Sequence, residues 1–494
     1  MLAIVITFFL FPFIVRQTGQ ELYGVYLLVM TVTGYFGILD LGVGSALIKY
    51  VSEYNGVGDA GAINRVINAS FSFYVLVGLV TAFFLFGCSM YFEYFFKIDS
   101  QNLILSRQLF LIAAISSLLT WPLSTFRGTV QGLNLWDAEA TVNMIVQILG
   151  IFFAIIIFTT GYGIVYYFIS SQILTILSCI TFSIISKKKT SFLIVFPCLD
   201  IKTMRHIFNF STFMFLSSMV GIILFQIHNF IIGYFISLSA VTIYAVAYNI
   251  QNYFRTINSS IGAPPWTVAS AMEGRGDYEG QRILVFKGTK YMSAVFLPVV
   301  LIMFFFVEPF VNYWMGMGFQ ESILPARIII LFWIVNNTIE TPTGMLSAKG
   351  IVKKPLYITI LVAITNVVIG IALIKFVGIT AIALGLTISM IFVGAPLYLC
   401  LSLKILNISF MDYFNKAIKT NLLLYLFVAV LSFVLLKYCY PKNIYFTLFE
   451  MAVIYLASLA LYFTAILNKE EKAEIRKLAG LNGFYTLGKN YRAQ

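Results

Sequence analysis

The sequence is poor in charge and in the residues that hold metals or form disulfides. Charged residues make up 11% of the 494 residues, whereas soluble proteins carry about 25%. There are two histidines and five cysteines, and the cysteines are widely spaced, with no C-x-x-C pair. We therefore expect no disulfide framework, no metal site and no cofactor.

Long apolar runs take the place of the missing charge. Hydrophobic residues make up 60% of the chain. A helix that crosses a membrane needs about 20 residues, and most of the apolar runs reach that length, although the first, residues 1–15, is short. The pattern predicts an all-α polytopic membrane protein with about 14 transmembrane helices.

One stretch of the sequence occurs twice. Residues 23–59 align without a gap with residues 241–277, which lie 218 positions later. Eight positions are identical, among them Gly44 with Gly262, and both copies end in G-x-G-D. Two halves in the same chain direction are typical of transporters built from parallel repeats, in which substrate binds between the halves.

The G-x-G-D segments are predicted to be tight turns between helices. Glycine tolerates the positive φ angles that such turns require. No strand precedes either segment and no Gly-Lys-Ser/Thr follows, so neither resembles a phosphate-binding loop.

The order of the apolar runs divides the chain into two six-helix lobes, related by a parallel pseudo-two-fold repeat, and an appended pair. A lysine triplet, Lys187 to Lys189, and the polar residues after it mark the boundary between the lobes. The predicted segments are an N-terminal lobe (1–186), a cytoplasmic linker (187–205), a C-terminal lobe (206–403), two extra transmembrane helices (404–467) and a cytoplasmic tail (468–494).

The net charge of +12 is spread unevenly over the loops. Lysine and arginine concentrate on the side of the N-terminus, and an excess of these residues marks cytoplasmic loops. We therefore predict that both termini are cytoplasmic, and we assign the charge to topology rather than to nucleic-acid binding. The external loops are too short for a catalytic domain, which disfavours a membrane enzyme such as a polymerase or glycosyltransferase.

The sequence resembles the polysaccharide-biosynthesis or oligosaccharide flippases (Wzx-like) of the multidrug/oligosaccharidyl-lipid/polysaccharide (MOP) exporter superfamily. The resemblance covers nearly the whole chain. The pieces that carry it are Leu22-Tyr23-Gly24, Leu39-Asp40-Leu41-Gly42 and residues 46–54, 128–134, 243–248, 347–349 and 353–355.

This resemblance implies a central cavity between the lobes and transport by alternating access. The implied substrate is undecaprenyl-pyrophosphate-linked oligosaccharide, such as an O-antigen or capsule unit, carried across the bacterial cytoplasmic (inner) membrane. Its implied partners are membrane lipid, H+ or Na+ as coupling ion, and a polysaccharide polymerase or export proteins. A cation-coupled multidrug or small-molecule exporter is the alternative, although Asn229 stands where such proteins often carry an acid.

Arg255 is the leading candidate for contact with the pyrophosphate. It lies inside the apolar run 241–263, where an arginine costs about 2.5 kcal/mol or more and normally faces a cavity or a partner. Its planar guanidinium can donate two hydrogen bonds to a phosphate. Its counterpart in the first copy is Gly37, so one lobe alone carries this cation. A structural pair with an acid or with helix carbonyls is the alternative.

Two residues are candidates for ion coupling. Asp40, whose counterpart in the second copy is Asn258, could form a latch with Arg255 that phosphate or a proton breaks. The other interpretation of Asp40 is a helix cap ahead of Gly42. His228 could carry protons, or it could be a hydrogen-bonded packing residue.

The remaining site candidates lie at helix ends or on aromatic faces. Lys49 could meet the pyrophosphate at the cytoplasmic mouth or pair with Glu53, four residues further on. Arg16 could face the cavity or the headgroups, and Arg127 is expected to be a positive-inside residue. Three tyrosines are candidates for stacking against sugars, with ordinary helix packing as the alternative: Tyr35, Tyr248 and Tyr253.

Overall fold

Helices account for almost all of the described chain. The computed structural model describes residues 2–92, 100–190 and 227–472, together with isolated positions between 203 and 221, and these ranges contain no strand. Contacts between Cα atoms divide the chain into a first unit, 1–245 with 367–382, and a second unit, 246–366 with 383–494. The lobe boundaries expected from the sequence stay a prediction.

The first unit is built mainly from the N-terminal helices. A short 3-10 turn, Phe36–Asp40, joins the second helix to the third. Residues 227–235 are also helical and belong to this unit. Its helices are α1 (Leu2–Thr18), α2 (Gln20–Tyr35), α3 (Val43–Val57), α4 (Ala60–Tyr91), α5 (Ser100–Gly132), α6 (Trp136–Thr159), α7 (Ile164–Thr190) and the first turns of α8 (Leu238–Gly274).

The second unit contains the rest of α8 and the helices that follow it. Two π-helical turns, Met390–Gly394 and Phe414–Ile418, lie between helices of this unit, and a third, Tyr462–Ile466, follows its last helix. These helices are α9 (Tyr278–Trp314), α10 (Ile323–Ala348), α11 (Lys353–Val377), α12 (Thr380–Ser389), α13 (Ala395–Leu406), α14 (Phe410–Tyr413), α15 (Leu422–Tyr438) and α16 (Ile444–Leu461), of which parts of α11 and α12 belong to the first unit.

The helices have the length and composition of membrane spans. In the described ranges, 11 helical stretches are long and apolar enough to cross a bilayer, and a shorter apolar helix, Phe8–Thr18, precedes them. The predicted class, an all-α polytopic membrane protein, is confirmed. The two helices α15 and α16 lie where the sequence predicts the appended pair.

The two copies of the repeated stretch differ in the path of the backbone. In the first copy the chain leaves the helix at Leu41 and Gly42, which have φ of 49° and 78°. In the second copy α8 continues through the matching positions, Ser259 and Ser260. A positive φ is easy for glycine and costly for most other residues, so the substitution of serine for Gly42 accounts for the unbroken helix.

Both G-x-G-D segments form the predicted tight turns. Gly58 and Gly276 have φ of 75° and 69°. The aspartates that follow them cap the next helix: Asp59 accepts from the Ala62 amide and Asp277 from the Gly280 amide, each at 2.8 Å. The turn therefore ends one helix with a left-handed glycine and begins the next with an aspartate N-cap.

Two glycines spaced four apart bring α5 close to α3. A Cβ atom at Gly128 would lie 2.8 Å from Leu47 Cδ2, and one at Gly132 would lie 2.9 Å from the Ile48 carbonyl oxygen. Small residues at this spacing allow membrane helices to approach closely. The residues that precede them, Arg127 and Gln131, are thereby placed beside α3.

Candidate functional site

A polar face on α8 carries the leading sequence candidate. Tyr248, Asn252 and Arg255 follow one another at helical spacing on one side of this helix. The Tyr248 hydroxyl is hydrogen-bonded to Asn252 and lies within electrostatic range of the Arg255 guanidinium. Arg255 is exposed. Helix α8 is not among the 11 described stretches with the length and composition of a membrane span, so the span over residues 241–263 stays a prediction. Within that predicted span an exposed arginine needs water or a polar ligand around it, and this face is therefore a candidate anion site.

A second polar cluster joins α8 to α10 inside the second unit. Asn258 and Asn337 are buried, and the Asn337 amide donates to Asn258 Oδ1 at 3.0 Å. Glu340, one turn further along α10, accepts from Asn336 at 3.5 Å and packs against Gly262. An ionisable residue inside a membrane span is by default a candidate for function.

Asp40 organises the break between α2 and α3 in the first unit. Its Oδ2 accepts from the Gly42 amide at 3.1 Å, and its Oδ1 accepts from the Gly44 amide at 3.2 Å and from the Tyr74 hydroxyl at 2.5 Å. These contacts confirm the helix-capping interpretation. Arg255 belongs to the other unit, so the latch between the two residues stays a prediction.

The repeated glycine faces a carboxyl group in both units. A Cβ atom at Gly44 would lie 3.2 Å from Asp40 Oδ1, and one at Gly262 would lie 3.7 Å from Glu340 Oε1. Asp40 comes from the repeated stretch itself, whereas Glu340 comes from a different helix and stands beside Asn258, the counterpart of Asp40. Each unit therefore holds an acid beside the repeated glycine, although only the first copy of the repeated sequence contains that acid.

A cavity of about 330 Å³ opens beside Asp40 in the first unit. Its walls come from the 3-10 turn and from α3, α4 and α5. They combine an acid, a cation, two large aromatic rings and several neutral polar groups. The lining residues are Asp40, Gly44, Leu47, Ile48, Tyr74, Thr120, Trp121, Ser124, Arg127, Gly128 and Gln131.

Arg127 is more than a positive-inside residue, because it is held by a buried acid. Its Nε donates to Glu139 Oε1 at 2.8 Å, and Gln131 Nε2 donates to the same oxygen at 2.8 Å. The Glu139 side chain is 8% exposed and that of Arg127 is 51% exposed. Glu139 therefore fixes the two side chains while the guanidinium remains in contact with solvent.

Three other predicted site residues, Lys49, Arg16 and His228, do not line the cavity beside Asp40. Lys49 pairs with Glu53 at 3.7 Å, as the four-residue spacing predicts. Arg16 is exposed in the last turn of α1. His228 is buried, and its ring centroid lies 5.3 Å from that of Tyr244, which favours its packing interpretation.

Two of the three candidate tyrosines are placed as packing residues would be. Tyr253 meets Trp314 edge to face, with ring centroids 6.4 Å apart. Tyr35 is half-buried in the last turn of α2. Tyr248 differs from them because it shares the polar face of Arg255. Gln226, which the sequence places near His228, lies outside the described residues.

Several residues of these clusters were missed from the sequence. Glu340 lies within an apolar run, and its position inside a predicted span is the signal that could have identified it. The neighbours of Asp40 and Arg127 come from distant parts of the chain, and spacing does not reveal them: Tyr74, Trp121, Gln131 and Glu139. Among the described residues, no three His, Cys, Asp or Glu side chains form a group that could hold a metal ion.

The described helices form a multi-pass, MOP-type fold, which comparison with solved structures bears out. The chain is similar in structure to the lipid II flippase MurJ in an inward closed conformation, with a TM-score of 0.70, 17% identity and coverage of 94% of this chain and 97% of that one. It is also similar to a multidrug resistance MATE family transporter in an inward-facing conformation, with a TM-score of 0.69, 16% identity and coverage of 81% and 94%.

The family follows from the sequence comparisons. The model described as "Polysaccharide biosynthesis protein" matches residues 1–266, more than half of the chain, and the MatE model matches residues 214–372. The chain therefore belongs to the polysaccharide biosynthesis protein family. A curated relative, the uncharacterized membrane protein EpsK of Bacillus subtilis (strain 168), is 21% identical over 409 residues, which cover 81% of this chain and 80% of that protein.

Proposed function

We propose that the chain is a flippase that moves undecaprenyl-pyrophosphate-linked oligosaccharide across the bacterial cytoplasmic membrane by alternating access. The observation that carries the proposal is the exposed Arg255 on the polar face of α8, in a chain that belongs to the polysaccharide biosynthesis protein family. Both termini would be cytoplasmic, and a polymerase or export proteins would take up the product.

Moving a charged, sugar-bearing head group across a bilayer requires a polar surface such as the face of α8 that carries Arg255. The substrate carries an anionic pyrophosphate and a large sugar head on a lipid tail. Burying its hydroxyls and charges in hydrocarbon without partners costs several kcal/mol per group. A guanidinium replaces part of the water around the phosphate through paired, charge-assisted hydrogen bonds, while the tail stays in lipid.

A second function, export of a drug or small molecule coupled to a cation, is favoured by one observation. Glu340 with Asn258 and Asn336 forms an acidic cluster inside a span, and residues 214–372, which contain it, match the MatE model. In the flippase, the same cluster would be the site for H+ or Na+, with Asp40 and His228 as the other candidates.

Rescue of surface-glycan assembly in a flippase-deficient bacterium tests the proposal. We expect wild type and Arg255→Lys to restore the glycan at least in part, and Arg255→Ala to fail. The matched control is Arg327→Ala, because Arg327 is a half-buried arginine of the same unit that pairs with Glu308 at 3.1 Å. Full activity of Arg255→Ala would overturn the phosphate contact. Drug resistance without glycan rescue by wild type would favour the exporter.

A further inference from the structure

The cavity beside Asp40 contains recognition groups of both signs. Asp40 lines it, and its carboxyl accepts three described hydrogen bonds, whereas a carboxylate has about four acceptor positions. Arg127 also lines it and uses Nε for Glu139. Within the described residues its two terminal nitrogens have no hydrogen-bond partner. The cavity therefore offers one acceptor position and a fork of donors.

Two aromatic rings also line this cavity. The rings of Tyr74 and Trp121 are tilted by 35° with centroids 5.7 Å apart. Tyr74 is buried and is held by its hydrogen bond to Asp40, whereas Trp121 is half-buried. A fixed aromatic surface packs against an apolar face of a ligand and costs little side-chain entropy on binding.

The combination selects the chemistry of the ligand. A free anion would be attracted by Arg127 but repelled by Asp40, and a free cation would meet the reverse pattern. A neutral ligand with hydroxyl groups can donate to the carboxylate, accept from the guanidinium and lay its C–H face on Trp121. Gln131, Ser124 and Thr120 add further neutral polar groups. The volume lies at the small end of the range for small-molecule sites.

We propose that this cavity is a saccharide subsite, which binds a sugar of the lipid-linked head group inside the first unit. The inference rests on the proposed flippase function, and it adds a second binding site to the anion site at Arg255. It assigns binding roles to Trp121, Arg127 and Gln131, and it gives Asp40 a role beyond capping. The close approach of α5 to α3 through Gly128 and Gly132 holds these groups in place.

The test compares a lipid that carries the sugar with one that lacks it. Purified protein is titrated with undecaprenyl pyrophosphate and with the undecaprenyl-pyrophosphate-linked repeat unit extracted from the cells used for rescue, and binding is followed by native mass spectrometry. We expect Trp121→Ala to weaken binding of the sugar-bearing lipid about fivefold or more, as the loss of an aromatic contact implies. Binding of the bare lipid should not change.

Two further variants distinguish loss of the Trp121 ring from a general disturbance of the protein. Trp121→Phe keeps an aromatic face and should bind the sugar-bearing lipid nearly as wild type does. Phe83→Ala removes an aromatic residue of α4 that is 74% exposed and does not line the cavity, and it should change neither affinity. If Trp121→Ala loses affinity for both lipids equally, or for neither, the subsite is overturned and the flippase proposal stands. Failure of wild type to bind either lipid would overturn both.

Discussion

Gly132→Ala should destabilise the first unit and disturb the cavity beside Asp40. The new Cβ would lie 2.7 Å from Val51 Cβ and 2.9 Å from the Ile48 carbonyl oxygen. Both atoms belong to or adjoin the backbone of α3, so neither can rotate away as a flexible side chain could. Overpacking of this kind costs about 1–3 kcal/mol, more than the 0.5–1 kcal/mol or so that alanine gains over glycine within a helix.

Gly87→Ala is the matched control for this substitution. Gly87 lies within α4, and no atom outside its own helix backbone and chain neighbours lies within 4 Å of a Cβ placed there. Thermal unfolding of the purified variants, followed by intrinsic fluorescence, should show a lower Tm for Gly132→Ala and an equal or higher Tm for Gly87→Ala. A Gly132→Ala protein as stable as wild type would refute the close α3–α5 contact.

Three more substitutions test other parts of the fold. Lys290 and Glu471 form a pair at 2.6 Å with side chains 10% and 9% exposed, so Glu471→Ala should cost about 3–5 kcal/mol by leaving the lysine unpaired, visible as a lower Tm. Hydrogen bonds from Lys349 and Gln281 hold the pKa of Glu273 below its usual value. The ionised Glu273 therefore stabilises the folded protein above the unfolded pKa of about 4.3. This contribution to stability is lost as the pH falls through the pKa of the folded state. Glu273→Gln should therefore flatten the dependence of Tm on acid pH. Glu340→Gln should abolish the dependence of glycan transport on the H+ or Na+ gradient in vesicles if this cluster couples the ion, and an unchanged gradient dependence would exclude that role.

Much of the fold could be predicted from the sequence because the bilayer imposes it. Apolar runs of span length leave helices as the available structure, since the backbone must satisfy its own hydrogen bonds in lipid. The G-x-G-D turns were predicted for a similar reason, because few residues other than glycine tolerate their backbone angles. The capping role of Asp40 was also visible, because the glycines that follow it are local.

The candidate sites were predicted less completely because they depend on contacts between distant residues. From the sequence alone, Arg127 is interpreted as a positive-inside residue. Its pairing with Glu139 on α6 is seen only in the structure. In the sequence repeat, Asn258 replaces the acid Asp40. In the structure, Glu340 from α10 supplies a carboxyl group beside Gly262, as Asp40 does beside Gly44. Aromatic residues are so frequent in this chain, 17% of it, that composition does not distinguish Trp121 in a cavity wall from Tyr253 in a packed interface.

Transport of a labelled lipid in a defined membrane tests the central claim most directly. Proteoliposomes containing wild type, Arg255→Ala or Arg327→Ala would be loaded with undecaprenyl-pyrophosphate-linked oligosaccharide, and the fraction of sugar that becomes accessible to an added glycosidase would be followed with time. The account predicts rapid translocation by wild type and by Arg327→Ala, and translocation at the rate of protein-free liposomes by Arg255→Ala. Translocation by Arg255→Ala at the wild-type rate would contradict the phosphate contact, and the protein-free rate for wild type would contradict the flippase itself.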